Sequence, residues 1–196
     1  MSTPLRDLSG SSLLAVFAHP DDESLASGGL LAWCADSGVQ ISLLCLTHGE
    51  HGRGSERARL RDVRASELKE AALILGIRDV LLLNHEDGML PWINEPLLEA
   101  DIADAIRRFR PDVVITFDED GLYWHPDHIA VHARTTSVVA GLDTSGPALL
   151  YVTIPAGAMR DVVEAASNHP GCGGEILGVA DADAFGSMAP APTLVV

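Results

Sequence analysis

The run Leu13-Leu14-Ala15-Val16-Phe17-Ala18-His19-Pro20-Asp21-Asp22-Glu23-Ser24 decides how the chain folds. Leu13 to Ala18 is apolar without alternation, the pattern of a short strand buried on both faces. It is far too short to span a bilayer, which takes about 20 apolar residues. It also lacks the positively charged flank and small-residue cleavage site of a signal peptide. The acids after Pro20 open a helix-like stretch, roughly Ser24 to Ser37. Moving outward, the same rhythm repeats. Gln40 to Leu46, Val80 to Leu83, Val113 to Phe117 and Leu149 to Ile154 read as further strands, rich in Val, Ile and Leu. Glu56 to Leu75, Glu95 to Phe109 and Asp127 to Ala140 read as further helices. Gly38, Gly76 and Gly141 stop three of the four helices, and Pro111 follows the other. Strict alternation of strand and helix implies right-handed βαβ units and a parallel sheet covered on both faces. The expected fold is therefore α/β, a Rossmann-like three-layer sandwich.

The 196 residues suit one domain spanning 1–196. Past Pro155 the rhythm fades. Asn168 to Gly174 and Gly186 to Pro192 read as loops, and Thr193 to Val196 reads as the opening of a strand. The natural protein is therefore expected to continue beyond Val196. Hydrophobic residues make up 47% and charged residues 21%, which marks a folding sequence. Lys and Arg number 13 against 28 Asp and Glu, a formal net charge of -15. That balance speaks against nucleic-acid or anionic-membrane partners, which need a basic surface. It leaves an anionic substrate open, because one buried Arg overrides the global field locally. Cys34, Cys45 and Cys172 are an odd count without CxxC spacing, so neither a disulfide framework nor a cysteine metal site is expected. A reducing, cytoplasmic location fits. Whether copies of the chain associate is left open by the sequence.

The segment His19-Pro20-Asp21-Asp22-Glu23 lies between the first strand and the first helix, where open α/β sheets bind ligands. It has two readings. One is a turn with a helix cap, its acids complementing the helix dipole. The other is a metal site, since three consecutive acids beside a His repel one another and a cation relieves that repulsion. Imidazole plus carboxylate is a ligand set that zinc accepts. A second segment, Asp118-Glu119-Asp120-Gly121-Leu122-Tyr123-Trp124-His125-Pro126-Asp127-His128, follows the strand Val113 to Phe117 and should reach the same sheet edge. His125 and His128 stand three apart at a loop-to-helix junction, so both can face the crevice. Together the segments supply His, Asp and His, with a coordination position left for water, the pattern of a catalytic zinc site.

Ala18-His19-Pro20-Asp21-Asp22-Glu23 with Tyr123-Trp124-His125-Pro126-Asp127-His128 resembles the PIG-L/LmbE-like superfamily of zinc-dependent N-deacetylases. Thr47-His48-Gly49-Glu50, Arg64-Ala65-Ser66-Glu67, Leu75-Gly76 and Asp87-Gly88 fit the same resemblance, which covers about residues 13 to 155. It implies one zinc ion on His19, Asp22 and His128, and Asp21 as general base. It implies His125, oriented by Asp127, as general acid and oxyanion stabiliser, with Tyr123 nearby. It implies Arg64 and Asp87 as substrate contacts, with Glu50 lining the same pocket. The expected activity is hydrolysis of an N-acyl amide, N-acetyl above all, on a small amino-sugar-type substrate. For Arg64 the bland alternative is one more solvated charge in Arg57-Ala58-Arg59-Leu60-Arg61-Asp62-Val63-Arg64, paired with Glu67 or Glu56. His48, His51, His85, His132 and His169 read as ordinary polar or surface histidines.

Family members usually extend into a C-terminal segment that shapes the pocket, so substrate size is the least legible property. Four other readings compete. An amidase acting on a larger thiol or natural-product conjugate would share every catalytic residue. A manganese-dependent glycosyltransferase would use Asp118-Glu119-Asp120 as its D-x-D and leave His19 and His128 idle. A nucleotide-binding Rossmann protein would need a glycine-rich first turn in place of the acids. A non-enzymatic binding protein would need no base at Asp21.

Overall fold

Five parallel strands form one sheet: β1 (Ser12–Phe17), β2 (Gln40–Thr47), β3 (Ile77–His85), β4 (Val113–Phe117) and β5 (Ala148–Val152). Their spatial order is β3-β2-β1-β4-β5. The computed structural model describes residues 10–52, 57–143, 145–169, 176, 179 and 181–185. The helices are α1 (Asp22–Asp36), α2 (Arg57–Ile74), α3 (Glu95–Phe109), the short irregular α4 (Gly121–Trp124), α5 (Pro126–Ala140) and α6 (Arg160–Asn168). From β1 the chain winds outward through β2 to β3, then α3 carries it back to β4 on the other side of β1. The winding direction reverses there, so right-handed crossovers place α1 and α2 on one face and α3 and α5 on the other.

All residues of β4 are buried, as are Leu13 to Phe17 of β1, because helices cover both faces. Phe17 and Phe117, at the ends of these neighbouring strands, pack with ring centroids 5.0 Å apart. The pairing Leu13↔Val113 to Ala15↔Ile115 leaves both strands ending at the same edge. Reversal of strand order between β1 and β4 opens a crevice outside that edge, the ligand position of open α/β sheets.

Five elements differ from expectation. β3 outlasts Val80 to Leu83 at both ends, because pairing with β2 runs from Ile77 to His85. As an edge strand it accommodates Arg78 and Asp79. β5 is Ala148–Val152 and stops before Ile154, where the Val152 carbonyl accepts the N–H of Asp118. α1 and α5 start earlier than expected, at Asp22, two residues before Ser24, and at Pro126, one before Asp127. The helix α6 was not anticipated; it buries Val163 and Ala166. The expected strand Thr193 to Val196 and the loop Gly186 to Pro192 lie outside the described residues.

Candidate metal centre and active-site cleft

After β1 the chain makes a tight turn held by its own acids. Asp22 Oδ2 accepts the backbone N–H of His19 at 2.8 Å. Asp21 sits at φ 111°, in the left-handed region, and its N–H donates to Glu23 Oε2 at 3.0 Å. After β4 the turn is tighter still. Leu122 and Trp124 both have positive φ, and Gly121 at φ +56° lies so close to α5 that a Cβ there would fall 2.8 Å from that of His128. Such backbone strain persists only where surrounding structure over-determines it, and it concentrates at functional sites. Asp120 Oδ1 accepts the N–H of Leu122. His125 Nδ1 caps α5 by accepting the N–H of Asp127 at 3.3 Å.

These turns bring two imidazole nitrogens and the two oxygens of one carboxylate together. His19 Nδ1 lies 3.2 Å from His128 Nε2. One Asp22 oxygen lies 3.3 Å from His128 Nε2, and the other 3.5 Å from His19 Nδ1. Hydrogen bonding fixes the tautomers. His128 donates from Nδ1 to the Gly121 carbonyl at 3.1 Å, leaving its Nε2 lone pair toward the cluster. His19 donates from Nε2 to Asp127 Oδ2 at 3.0 Å and lies 3.1 Å from Asp87 Oδ1, leaving Nδ1 free. Two imidazole nitrogens and a carboxylate in contact, all buried, call for positive charge between them, which a proton on His19 Nδ1 supplies or a bound cation would replace. Ligand atoms about 2.05 Å from a tetrahedral zinc would lie about 3.3 Å from one another, which the observed separations match. The donor set therefore fits zinc.

The electrostatics say the same. Burial alone would push the Asp22 carboxyl up, but His128 and His19 hold it well below the carboxylate range. Burial would lower the His19 pKa, yet Asp127, Asp22 and Asp87 raise it well above the ordinary value. Asp87 is lowered to about 2 against its own burial, chiefly by His19 and by the His51 N–H. A surplus of negative charge surrounds the ligand atoms.

Asp127 departs from its expected role. It is fully buried, and its carboxylate accepts from His19 Nε2, from the Gly88 N–H at 2.8 Å and from the Leu90 N–H at 3.2 Å. Only its backbone N–H meets His125. Asp127 thus orients a candidate metal ligand and not the candidate acid, because Nδ1 of His125 is already spent as a helix cap. Burial together with His128 and His19 lowers the His125 pKa to about 4, so the ring is neutral at pH 7 and carries its proton on Nε2. Burial, Asp22 and Asp21 raise the Tyr123 pKa, which keeps that hydroxyl a donor. Tyr123 packs 5.4 Å from the His128 ring and 5.8 Å from that of Phe185.

The Arg64 guanidinium is neither solvated nor paired with Glu67 among the described contacts. It donates to Asp21 Oδ2 at 2.6 Å, to the Gly49 carbonyl at 2.9 Å and to the Pro20 carbonyl. Gly49 is required there, since φ is +61° and a Cβ would land 1.9 Å from the guanidinium. Burial and Asp22 push the Asp21 carboxyl up, Arg64 and His19 pull it back, and it settles at about 6. Glu50 does not line the cavity as expected; its Oε1 accepts the N–H of Asp87. Asp120 Oδ1 serves its own turn and its Oδ2 is buried without a partner, and among the described residues neither Asp118 nor Asp120 joins a group of converging metal-ligand atoms. Among the described residues, converging potential ligand atoms form two groups that share His19, one with His125 and His128 and one with Asp87 and Asp127; the 3.3 and 3.5 Å approaches of its oxygens bring Asp22 to the first.

A cavity of about 510 Å³ opens over this cluster, bordered by His19, Asp21, Asp22, Arg64, Asp87, Tyr123 and His125. Leu25, Leu122, Ile154, Met159 and Ile176 add an apolar lining. His51 also borders it, although it reads as a surface residue; the signal was its place two residues after Gly49 in a loop leaving β2. Met159 and Ile176 show that the chain past Pro155 builds part of the wall.

The sequence matches the family described as "PIG-L: GlcNAc-PI de-N-acetylase" over residues 14–139. A 1D-myo-inositol 2-acetamido-2-deoxy-alpha-D-glucopyranoside deacetylase of Acidothermus cellulolyticus is 36% identical over 180 residues, covering 79% of this chain and 62% of that protein. Among solved structures, the N,N'-diacetylchitobiose deacetylase of Pyrococcus horikoshii superposes with a TM-score of 0.63 at 26% identity, over 71% of this chain and 53% of that one. The 4-carboxy-2-hydroxymuconate hydratase of Pseudomonas putida superposes at 0.59 with 26% identity, over 74% and 63%. The chain thus spans less than two thirds of these proteins' lengths.

Proposed function

The chain belongs to the PIG-L family, and on that premise we propose that it is a zinc-dependent N-deacetylase, releasing acetate and a free amine from a small N-acetylated amino sugar. The observation that carries this reading is the buried triangle of His19 Nδ1, His128 Nε2 and Asp22, with edges of 3.2 to 3.5 Å, beside the Asp21 carboxylate. Both deacetylases named above act on N-acetylated sugars, which supports the substrate class.

Zinc held by these three residues would supply Lewis-acid polarisation of the acyl carbonyl and of the attacking water. The remaining steps belong to the chain's own groups. Asp21, raised to about 6, is ionised at pH 7 and takes a proton from the water as its oxygen attacks the acyl carbon. The same carboxyl then returns that proton to the departing nitrogen as the C–N bond breaks. His125 serves as a neutral N–H donor from Nε2 toward the developing oxyanion, and the Tyr123 hydroxyl is a second donor. Asp127 and Asp87 keep His19 in the tautomer that exposes Nδ1. Arg64 and Asp87 border the cavity where hydroxyls of a sugar ring would meet them. None of the described helices is long and apolar enough to cross a membrane. Cys34 and Cys45 are buried free thiols, which supports a cytoplasmic setting.

The test combines metal analysis with acetate release from a panel of N-acetyl amino sugars. The protein should bind one zinc and release acetate, and Asp21→Asn should keep the metal while slowing turnover about 10²–10⁴-fold. A zinc-loaded chain that releases no acetate from any member of the panel overturns the assignment.

A further inference from the structure

Glu23 takes no part in the chemistry above, yet it is 1% exposed beside the candidate base. Burying a carboxylate is unfavourable unless its oxygens are bonded, and here both are. Oε2 accepts the Asp21 N–H at 3.0 Å, and Oε1 accepts the Ser24 hydroxyl at 2.6 Å. The residue it holds is the strained one. Asp21 stands at φ 111°, ψ −25°, a region that side-chain-bearing residues rarely occupy.

The rest of the turn is tied on either side of that position. The Asp21 carbonyl accepts from the N–H groups of Ser24 and Leu25 as α1 begins, and Asp22 holds the His19 N–H. The Pro20–Asp21 peptide between them is held by side chains alone: Arg64 donates to its carbonyl and Glu23 captures its N–H. Its orientation sets where the Asp21 carboxylate points, because that side chain is half exposed and meets Arg64 on one side only. A role limited to complementing the α1 dipole would not need the carboxylate turned back and buried.

We propose that Glu23 is a positioning residue that locks the strained Asp21 backbone, so that the Asp21 carboxylate is held toward the reacting water. This rests on the reading of Asp21 as the base.

Two conservative variants separate backbone capture from charge. Glu23→Gln keeps the length and an acceptor oxygen but loses the charge. Glu23→Asp keeps the charge but is one methylene too short to reach the Asp21 N–H. In the zinc-loaded full chain, acetate release by Glu23→Gln should stay near wild type. Glu23→Asp should lose about 10–100-fold in kcat, the scale for groups that orient an active-site side chain, with KM and zinc content unchanged. In an Asp21→Asn background Glu23→Asp should cost nothing further, since its effect passes through Asp21. The proposal is overturned if Glu23→Gln is as damaging as Glu23→Asp, if Glu23→Asp is fully active, or if its loss persists undiminished in the Asp21→Asn background. If Glu23→Asp does not fold, Ser24→Ala decides. A fall in kcat that vanishes in the Asp21→Asn background supports the proposal, and an unchanged kcat overturns it. A wild-type chain inactive on the whole sugar panel removes the deacetylase reading and the Glu23 role together, whereas an active wild type isolates a failure of Glu23 alone.

Discussion

Replacing Asp127 by Asn leaves shape and volume unchanged but removes one of two acceptor oxygens that between them serve three donors. If the Asn carbonyl stays on His19 Nε2 and the Gly88 N–H, the new NH₂ group faces the Leu90 N–H, and a buried donor loses its partner. If the amide flips, two donors lose theirs. The smaller loss, one buried hydrogen bond to a charged acceptor, is worth about 1.5–3 kcal/mol. At about 2–4 °C per kcal/mol for a chain of this size, the melting temperature of the metal-free protein should fall by about 3–12 °C. His19 would also hold its tautomer less firmly, and zinc affinity should drop about 10–100-fold, as for other partners of metal-bound histidines. Chelator competition measures the affinity, and thermal unfolding in excess chelator measures the hydrogen-bond loss. Unchanged affinity and melting temperature, with kcat alone reduced, would return Asp127 to the service of His125 and refute the geometry described above.

Two further outcomes follow from the site. The acid limb of kcat/KM should lie at or below pH 6, because Asp21 must be ionised to accept a proton and a bound cation only lowers its pKa further. Arg64→Met removes a group that lowers this pKa, so the limb should move to higher pH; a limb that stays in place on steady-state pH profiles would detach Arg64 from Asp21. Gly121→Ala combines a positive φ with a Cβ 2.8 Å from that of His128 and should destabilise by more than about 1 kcal/mol while weakening zinc binding. Gly29→Ala, in α1 with nothing within 4 Å, should stabilise by about 0.5–1 kcal/mol with zinc affinity intact, and thermal melts of the pair check both.

The sheet was legible because each strand holds a short apolar stretch and the four helices between strands end beside a glycine or proline. The candidate metal ligands were legible because they lie in the segments that follow strand ends, His19 and Asp22 after β1 and His128 at the start of α5 after β4. Arg64 was harder to read. Its position in an Arg-rich helix suggests solvent, and its actual partners are two backbone carbonyls and Asp21, none of which a sequence pattern encodes. Asp127 and Glu23 show the same limit from another side. A carboxylate in a motif advertises metal or acid–base chemistry, while both in fact bind backbone N–H groups, whose directions exist only after folding. α6 was missed although Val163 and Ala166, three apart, mark its buried face; the surrounding loop-like residues masked a helix of two and a half turns.

His19 and His128 are 109 positions apart along the chain, yet their ring nitrogens touch. That separation ties assembly of the candidate site to the docking of β4. While only β1, β2 and β3 are docked, the chain presents His19 and Asp22 without His128, and one flank of β1 still offers unpaired N–H and C=O groups. Such a flank is a template for pairing with another chain. Docking of β4 closes this edge and delivers His128 in one step. Metal acquisition would thus report sheet completion, and an ion held there would fasten the first strand's loop to the segment that follows the fourth. A zinc supply that is scarce during synthesis would leave the sheet formed but its last closure unfastened. The yield of native protein should then depend on zinc most strongly in variants whose β1–β4 pairing is already weakened.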